Sequence, residues 1–108
     1  MKEDAKRINE ITGRPMAECK KTALSIAECV KQMKERIVEF YFKKKDGTLR
    51  QAFGTLQDEI ILPILNDPSH HGGTNPELVT YYDTKVQQFR SFRKENFEYF
   101  IPANGSEA

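Results

Sequence analysis

A chain of 108 residues, 38% hydrophobic and 31% charged, has room for one soluble globular domain, or a domain and an appendage, around one modest core. Its 17 basic and 16 acidic residues leave a formal net charge of +1, which excludes a global field that would attract nucleic acid or a membrane. Any anion-binding function must therefore depend on a local patch of charge.

The amino-terminal segment MKEDAKRINEITGRP is charged from its second residue and lacks the apolar core of a signal peptide. The longest apolar run, IILPIL, is far shorter than the ~20 residues that a membrane helix needs. Cys19 and Cys29 have no second ligand pair beside them, so we expect small buried thiols rather than a zinc site or a disulfide framework. These features predict a cytoplasmic protein with no membrane partner and no bound metal.

Residues 2–35 predict two helices, because Gly13 in the segment TGRP can end one helix and Pro15 can begin the next. From there, small and apolar side chains recur at alternating steps of three and four and predict one amphipathic stripe. The stripe consists of Met16, Cys19, Ala23, Ile26, Val30, Met33 and Ile37. It favours one helix of about 20 residues. The capping-box spacing of SIAE instead favours a third helix that begins at Ile26, and one long helix is the preferred interpretation.

Residues 9–33 resemble the ubiquitin-associated-like helical module at the start of bacterial elongation factor Ts. The likeness is concentrated in Thr12, Gly13, Met16, Cys19, Lys20, Lys21 and Ala23. It implies docking on an elongation factor GTPase, although no strand-rich body like this one follows the module in that family. An amphipathic helix that packs on the rest of the protein, or on a second copy, accounts for the same pattern.

After Arg36 the apolar period changes to two. Val38, Phe40 and Phe42 alternate with more polar residues, which predicts a half-buried strand. The pair Asp46-Gly47 predicts a tight hairpin turn in which both central residues have positive φ. Residues 48–56 form the expected second strand, with a bulge or bend at the glycine of AFGTL, Gly54.

The segment QDEIILPILND is apolar enough to be buried, but Pro63 limits it to a short helical turn or an edge strand. The loop NDPSHHGGTNPE has the composition of a mobile segment, and its His70 and His71 are expected to be solvated rather than to bind a metal. Strand patterns resume in LVTYYDT and, after a turn near residues 83–85, in VQQFRSF. RKEN predicts one helical turn, FEYFI a last strand and PANGSEA a frayed tail.

This order of elements predicts an α+β protein: a helical segment over residues 1–35, a five-stranded Sm-like or SH3-like barrel over 36–102 and a disordered tail over 103–108. The segments KKKDGTLRQAFGTL and VTYYDTKVQQFRSFRKENF resemble, in the same order, motifs of small WYL-related, Sm-like barrel proteins of gut anaerobes, their phages and conjugative elements. The matching residues are Arg50, Ala52, Gly54, Thr55, Tyr81, Tyr82, Asp83, Arg90, Ser91, Phe92, Arg93 and Asn96. The chain departs from the family at Phe89, where Trp is usual, and at Glu95, where Asp is commoner.

The resemblance implies a function, because the WYL domains of bacterial transcription regulators are sensors that bind nucleic acids or nucleotide-like anions through arginines and aromatic residues. Three guanidiniums here can hold a phosphate, and two aromatic rings can stack a base. These candidate ligand-binding residues are Arg50, Arg90, Arg93, Tyr82 and Phe89. The same arginines have a structural alternative, because they can pair with carboxylates of the protein such as Glu39, Asp83 or Glu95.

Strict alternation within FRSFR predicts that Arg90 and Phe92 share one face of a strand and that Phe89 and Ser91 share the other. No Ser-His-Asp, Cys-His or paired-carboxylate pattern has a spacing that supports catalysis, so we expect no enzyme and no cofactor. The preferred function is a regulatory module that binds nucleic acid or a nucleotide. The alternative is a protein-interaction module of a phage or mobile element, which binds a host protein through the stripe or a barrel edge. A homo-oligomer is compatible with both.

Overall fold

The computed structural model describes residues 2–67 and 75–102. The chain begins with helices α1 (Lys2–Thr12) and α2 (Met16–Met33). Gly13, at a φ of 72°, follows the last residue of α1, and Pro15 directly precedes the first turn of α2, so the predicted helix break is confirmed. α2 is one continuous helix, which confirms the preferred interpretation over a third helix that begins at Ile26.

The rest of the described chain is built mainly of strands. Its elements are β1 (Val38–Lys43), β2 (Leu49–Thr55), α3 (Asp58–Leu65), β3 (Leu78–Asp83), β4 (Gln88–Arg93), a 3-10 turn η1 (Lys94–Asn96) and β5 (Phe97–Phe100). Over the described residues the five strands form one antiparallel sheet in the order β4-β3-β2-β1-β5. Helices followed by this sheet confirm the predicted α+β class with a small Sm-like or SH3-like barrel.

The hairpin between β1 and β2 is present where the sequence predicted it, but its turn is different. The backbone N–H of Lys44 donates to the carbonyl of Thr48, and that of Gly47 donates to the carbonyl of Lys44, each at 2.9 Å. Gly47 has a positive φ of 86°, whereas Asp46 does not. The predicted turn with two positive φ values is therefore wrong. Three residues form the loop, with glycine at its left-handed position. Asp46 Oδ1 stabilises it by accepting from the N–H of Thr48 at 3.0 Å.

Gly54 serves close packing rather than a bulge. The register of β1 with β2 runs through the pair of Val38 with Gly54 without a shift, so the predicted bulge is wrong for this pair. A Cβ atom at Gly54 would lie 2.6 Å from Cδ2 of Tyr81 and 2.9 Å from Cε1 of Phe40. The lack of a side chain therefore lets two aromatic rings pack directly on the β2 backbone.

The segment that contains Pro63 forms the eight-residue helix α3, which is longer than the predicted short helical turn, and the predicted edge strand is wrong for it. Its predicted burial is also mostly wrong, because Ile61 is buried while Leu62 and Leu65 are 44% and 41% exposed. A helix of this length turns only one face toward the protein, so a continuous apolar run leaves several side chains outside.

The core lies between the sheet and α2. Its buried residues are Ile26, Cys29, Met33, Val38, Phe40, Phe42, Ala52, Val79, Tyr81, Phe92 and Phe97. A second cluster packs α1 on α2 through Ala5, Ile8, Cys19 and Ala23. Cys19 and Cys29 are buried as expected. Most of the stripe on α2 thus packs inside the molecule, whereas its end members Met16 and Ile37 are exposed.

Some predictions fall outside the described residues. They are the solvation of His70 and His71, most of the mobile loop, and the frayed tail at 103–108. In the part of the chain that the structure describes, no helix has the length and apolarity that crossing a membrane requires.

Candidate anion-binding site

A buried carboxylate lies between two arginines. Oδ2 of Asp83 is 3.4 Å from Nη2 of Arg50 and 4.0 Å from Nε of Arg90. The side chain of Asp83 is 3% exposed, while those of Arg50 and Arg90 are 29% and 39% exposed. We call these three residues, together with Tyr81, the Asp83 cluster. Its carboxylate is buried, whereas the two arginine side chains still reach solvent.

Strand periodicity places the cluster on one face of the sheet. Tyr81 and Asp83 alternate along β3 and are both buried, and Tyr81 lies directly opposite Arg90 on β4. Asp83 in turn lies opposite Gly54 on β2. Arg50 is four residues before Gly54 on the same strand, and its long side chain reaches Asp83 at 3.4 Å. This antiparallel register brings Arg50 to Asp83.

Asp83 also holds the turn between β3 and β4. Its Oδ1 accepts hydrogen bonds from the backbone N–H of Lys85 at 2.9 Å and of Val86 at 3.3 Å. The carboxylate is thus fixed by one oxygen to the backbone, and its other oxygen faces the arginines. A short polar side chain that caps its own turn in this way is typical of aspartate.

Two polar atoms of the cluster are buried and have no hydrogen-bond partner among the described residues: the hydroxyl of Tyr81 and Nε of Arg90. Burial raises the pKa of Tyr81 to about 12, and the charges of Arg50, Asp83 and Arg90 also act on that pKa. The hydroxyl therefore lies within the field of the ion pairs. Buried polar groups nearly always have hydrogen-bond partners, so two buried atoms without partners in one cluster are unusual.

The surroundings of the cluster are basic. Lys43, Lys44 and Lys45 are exposed at the tip of the hairpin, and Arg50 is one residue from Leu49, which pairs with Lys43. Asp46 is the acidic residue of that tip. Its hydrogen bonds from Thr48 lower its pKa, so it stays ionised, but the lysines outnumber it. A nearly neutral chain thus carries a local excess of lysines at the tip of the hairpin whose second strand contains Arg50.

Arg93 is not part of the Asp83 cluster. Its Nε lies 2.7 Å from Glu95 and its Nη2 lies 3.0 Å from Glu77, and these contacts raise the pKa of Arg93, with Glu95 the larger cause. Glu77 also binds Arg7 of α1 at 2.6 Å. Arg93 therefore belongs to a set of ion pairs that joins α1 to the barrel.

Tyr82 and Phe89 lie opposite each other on β3 and β4, with ring centroids 5.4 Å apart in an edge-on contact. Both are half-buried. By strand alternation they occupy the face of the sheet opposite to Tyr81 and Arg90. The five candidate residues are thus in three places: Arg50 with Arg90, Tyr82 with Phe89, and Arg93 apart from both pairs.

Of the three carboxylates named as alternative partners of the arginines, two contact an arginine and one does not. Asp83 and Glu95 do bind arginines, so this part of the alternative is confirmed. Glu39 does not, because it accepts hydrogen bonds from the hydroxyl of Tyr41 and from Gln51, and the bond from Tyr41 is the main reason that its pKa is lowered. Sequence reasoning did not select Tyr81 as a site residue and treated Asp83 only as a counterion. The alternating YYD segment was the available signal.

Residues 26–98 match the protein family WYL_2, which has an Sm-like SH3 beta-barrel fold. The match covers more than half of the chain, so this protein belongs to the WYL_2 family, as the two motifs predicted. Comparisons with curated proteins and with solved structures found no match. The family match begins within α2, after the residues that carry the likeness to elongation factor Ts, so that likeness stays a prediction.

Proposed function

We propose that this protein is a non-enzymatic, regulatory binding module that recognises nucleic acid or a nucleotide-like anion through Arg50 and Arg90. The observation that carries the proposal is the sharing of one buried carboxylate by two partly exposed arginines. Because Asp83 can balance only one of the two charges, a positive charge is left for an external anion. Guanidiniums suit that role, since they bind phosphate with paired N–H donors.

The contrast with Arg93 supports the choice of residues. Arg93 has two carboxylates of the protein, Glu77 and Glu95, within hydrogen-bond distance, so its charge and donors are already engaged. Arg50 donates one long hydrogen bond to Asp83, and Nε of Arg90 has no acceptor among the described residues. The proposal therefore assigns the anion to Arg50 and Arg90 and gives Arg93 a role in docking α1.

The lysines of the hairpin tip support the same assignment. Exposed lysines contribute little to rigid recognition, but they attract phosphates and make binding sensitive to salt. The non-enzymatic part of the proposal has a separate support in the cysteines. Both thiols are buried, and burial raises the pKa of Cys29 to about 12, which leaves almost none of the reactive thiolate at neutral pH.

The test is the binding of a fluorescein-labelled single-stranded oligonucleotide, followed by fluorescence anisotropy from about 50 to about 200 mM salt. We expect affinity to fall steeply with salt. We also expect at least about a tenfold loss of affinity when Arg50→Gln and Arg90→Gln are combined, because each removes charge-assisted hydrogen bonds. Asp83→Asn is added to this variant so that no buried carboxylate is left without its cations.

The matched control is Lys20→Gln, which lowers the net charge by one, as the variant of the arginines does, but at an exposed position of α2. It should bind almost as the unmodified protein does. Equal losses in the two variants would mean that only net charge matters. Full binding by the variant of the arginines would refute the proposal, provided that thermal unfolding shows it to be folded.

A protein-interaction module of a phage or mobile element is the second candidate function. The buried stripe on α2 offers a partner little surface, so a host protein would have to use a barrel edge or α3. In the described residues β4 is an outer strand of the sheet, and Leu62 and Leu65 are exposed on α3. Capture of a host protein from lysate would favour this function if the binding persists in moderate salt and after replacement of Arg50 and Arg90.

A further inference from the structure

We propose that the Asp83 cluster receives a terminal phosphate, the phosphomonoester of a nucleotide or of an oligonucleotide end, with the Tyr81 hydroxyl as a third donor beside Arg50 and Arg90. This inference rests on the proposed function and adds which kind of phosphate the site selects.

The starting observation is the pair of orphaned atoms, the Tyr81 hydroxyl and Nε of Arg90. Tyr81 is fully buried, and its ring packs on Gly54 and meets Phe40 edge-on at 4.9 Å. The aromatic ring accounts for the packing, but nothing in the described part of the chain accounts for the hydroxyl. A phenylalanine would fill the same space, so the hydroxyl needs an acceptor that the folded chain does not provide.

The arrangement of donors suits a group with several free oxygens. Arg50 and Arg90 approach one oxygen of Asp83 from β2 and β4, and Tyr81 lies directly opposite Arg90 on β3. The three donor side chains thus come from three neighbouring strands and lie on one face of the sheet. A phosphomonoester presents three strong acceptor oxygens, one for each side chain. An internal phosphodiester has fewer free oxygens because two are esterified.

The depth of the hydroxyl adds a steric argument. The Tyr81 hydroxyl is buried, whereas the guanidiniums are partly exposed. An internal phosphate carries a nucleoside on each side and can meet only the exposed guanidinium edges. A terminal phosphate projects from the end of its chain, so it can extend further toward the buried hydroxyl than an internal phosphate can.

Asp83 acts as a positioning residue in this site. Its Oδ1 is held by two backbone N–H groups, so its Oδ2 keeps both guanidiniums on the same side of β3. Its negative charge opposes that of the phosphate, and the two arginines outweigh it. Fixing the donors in advance reduces the conformational entropy that binding would otherwise lose.

The experiment compares two oligonucleotides of one sequence, with a 5′-phosphate and with a 5′-hydroxyl, as competitors of the labelled probe. The unmodified protein should prefer the phosphorylated one by about tenfold, the effect of one hydrogen bond to a charged group. Tyr81→Phe should lose that preference, because its affinity for the phosphorylated form should fall to that for the 5′-hydroxyl form. Its thermal stability should be unchanged or higher, since the substitution removes an unpartnered buried hydroxyl.

Equal binding of the two oligonucleotides by the unmodified protein would overturn the inference and leave the proposed function intact. A preference for the phosphorylated oligonucleotide that persists in Tyr81→Phe would also overturn the inference. The hydroxyl would then have a buried water as its partner instead of the terminal phosphate. Binding of either oligonucleotide that is unchanged when Arg50 and Arg90 are replaced by glutamine would overturn both proposals. If the protein prefers the 5′-phosphorylated oligonucleotide, competition with free nucleotides identifies the ligand further. Competition by adenosine 5′-monophosphate but not by adenosine supports a free nucleotide. Failure of both to compete supports the end of a nucleic acid.

Discussion

Oδ2 of Asp83 accepts from Nη2 of Arg50 at 3.4 Å across 33 positions of sequence, and the carboxylate is almost completely buried. The contact joins the end of β3 to the beginning of β2 on the inner face of the sheet. It depends on a carboxylate that the turn between β3 and β4 already holds by its other oxygen. The cluster is therefore a structural device as well as a candidate ligand site, and the two roles can be tested separately.

The structural role predicts that Asp83→Asn destabilises the fold by about 1–3 kcal/mol. Asparagine can still accept from the N–H groups of Lys85 and Val86, but it leaves Arg50 and Arg90 without their shared counterion. Urea denaturation measures the loss. Asp46→Asn is the matched control, because Asp46 also caps a turn but is exposed, and its substitution should have little effect. Equal stability of Asp83→Asn and the unmodified protein would contradict the structural role.

Gly54→Ala should destabilise the protein by about 1–3 kcal/mol, the usual effect of an extra group in a packed core. The new Cβ would overlap the rings of Tyr81 and Phe40, which lie 2.6 Å and 2.9 Å from its position. Chemical denaturation checks the prediction. Gly47→Ala is the comparison, because its Cβ would meet nothing within 4 Å and its cost would come from the positive φ alone, about 1–2 kcal/mol. Equal stability of Gly54→Ala and the unmodified protein would contradict the prediction and show that the two rings can move.

The two phenylalanines of FRSFR should differ strongly in their effects. Phe92 is buried and packs against Phe40, Phe42 and Phe97, so Phe92→Ala should cost about 3–5 kcal/mol. Phe89 is half-buried on the opposite face, and Phe89→Ala should cost about 1 kcal/mol. The free energies of unfolding of the two variants test which face is the core. Similar losses for both would contradict the assignment of faces.

The ion pairs at Glu77 predict an acid-sensitive attachment of α1. Hydrogen bonding from Arg7 is the main reason that the pKa of Glu77 lies below its usual value of 4.5. A pKa that is lower in the folded state means that the contribution of Glu77 to stability is complete above about 4.5 and is lost as the pH falls through the lower folded-state value.

Glu77→Gln should therefore be less stable than the unmodified protein at neutral pH, and the difference should shrink in acid. Thermal unfolding between about pH 6 and pH 3 measures it. Glu98→Gln, at an exposed position on β5, is the control. Its thermal stability should change with pH in the same way as that of the unmodified protein. A difference that is constant over this range would exclude the ionisation of Glu77 as its cause.

Local patterns were enough to predict the family and most of the elements, although not the length of α3. Three features depend only on neighbouring residues: the alternation in β1, the glycine of the hairpin and the helix break at Gly13. The structure confirms that the strand, the hairpin and the break are present. Even there the details required the structure, because the hairpin loop has one positive φ rather than two. Periodicity specifies which residues share a face, whereas turn geometry depends also on how the strands twist.

The folded chain was needed for everything that joins distant segments. Arg50, Arg90 and Arg93 were equivalent in the sequence. In the fold the first two share a buried carboxylate, whereas Arg93 contacts Glu95 and Glu77, which also binds Arg7. The space that requires Gly54 and the orphaned hydroxyl of Tyr81 likewise arise only when β3 packs beside β2. Residue type supplies the chemistry of a site, but strand register determines which charges meet and which polar atoms are left without partners.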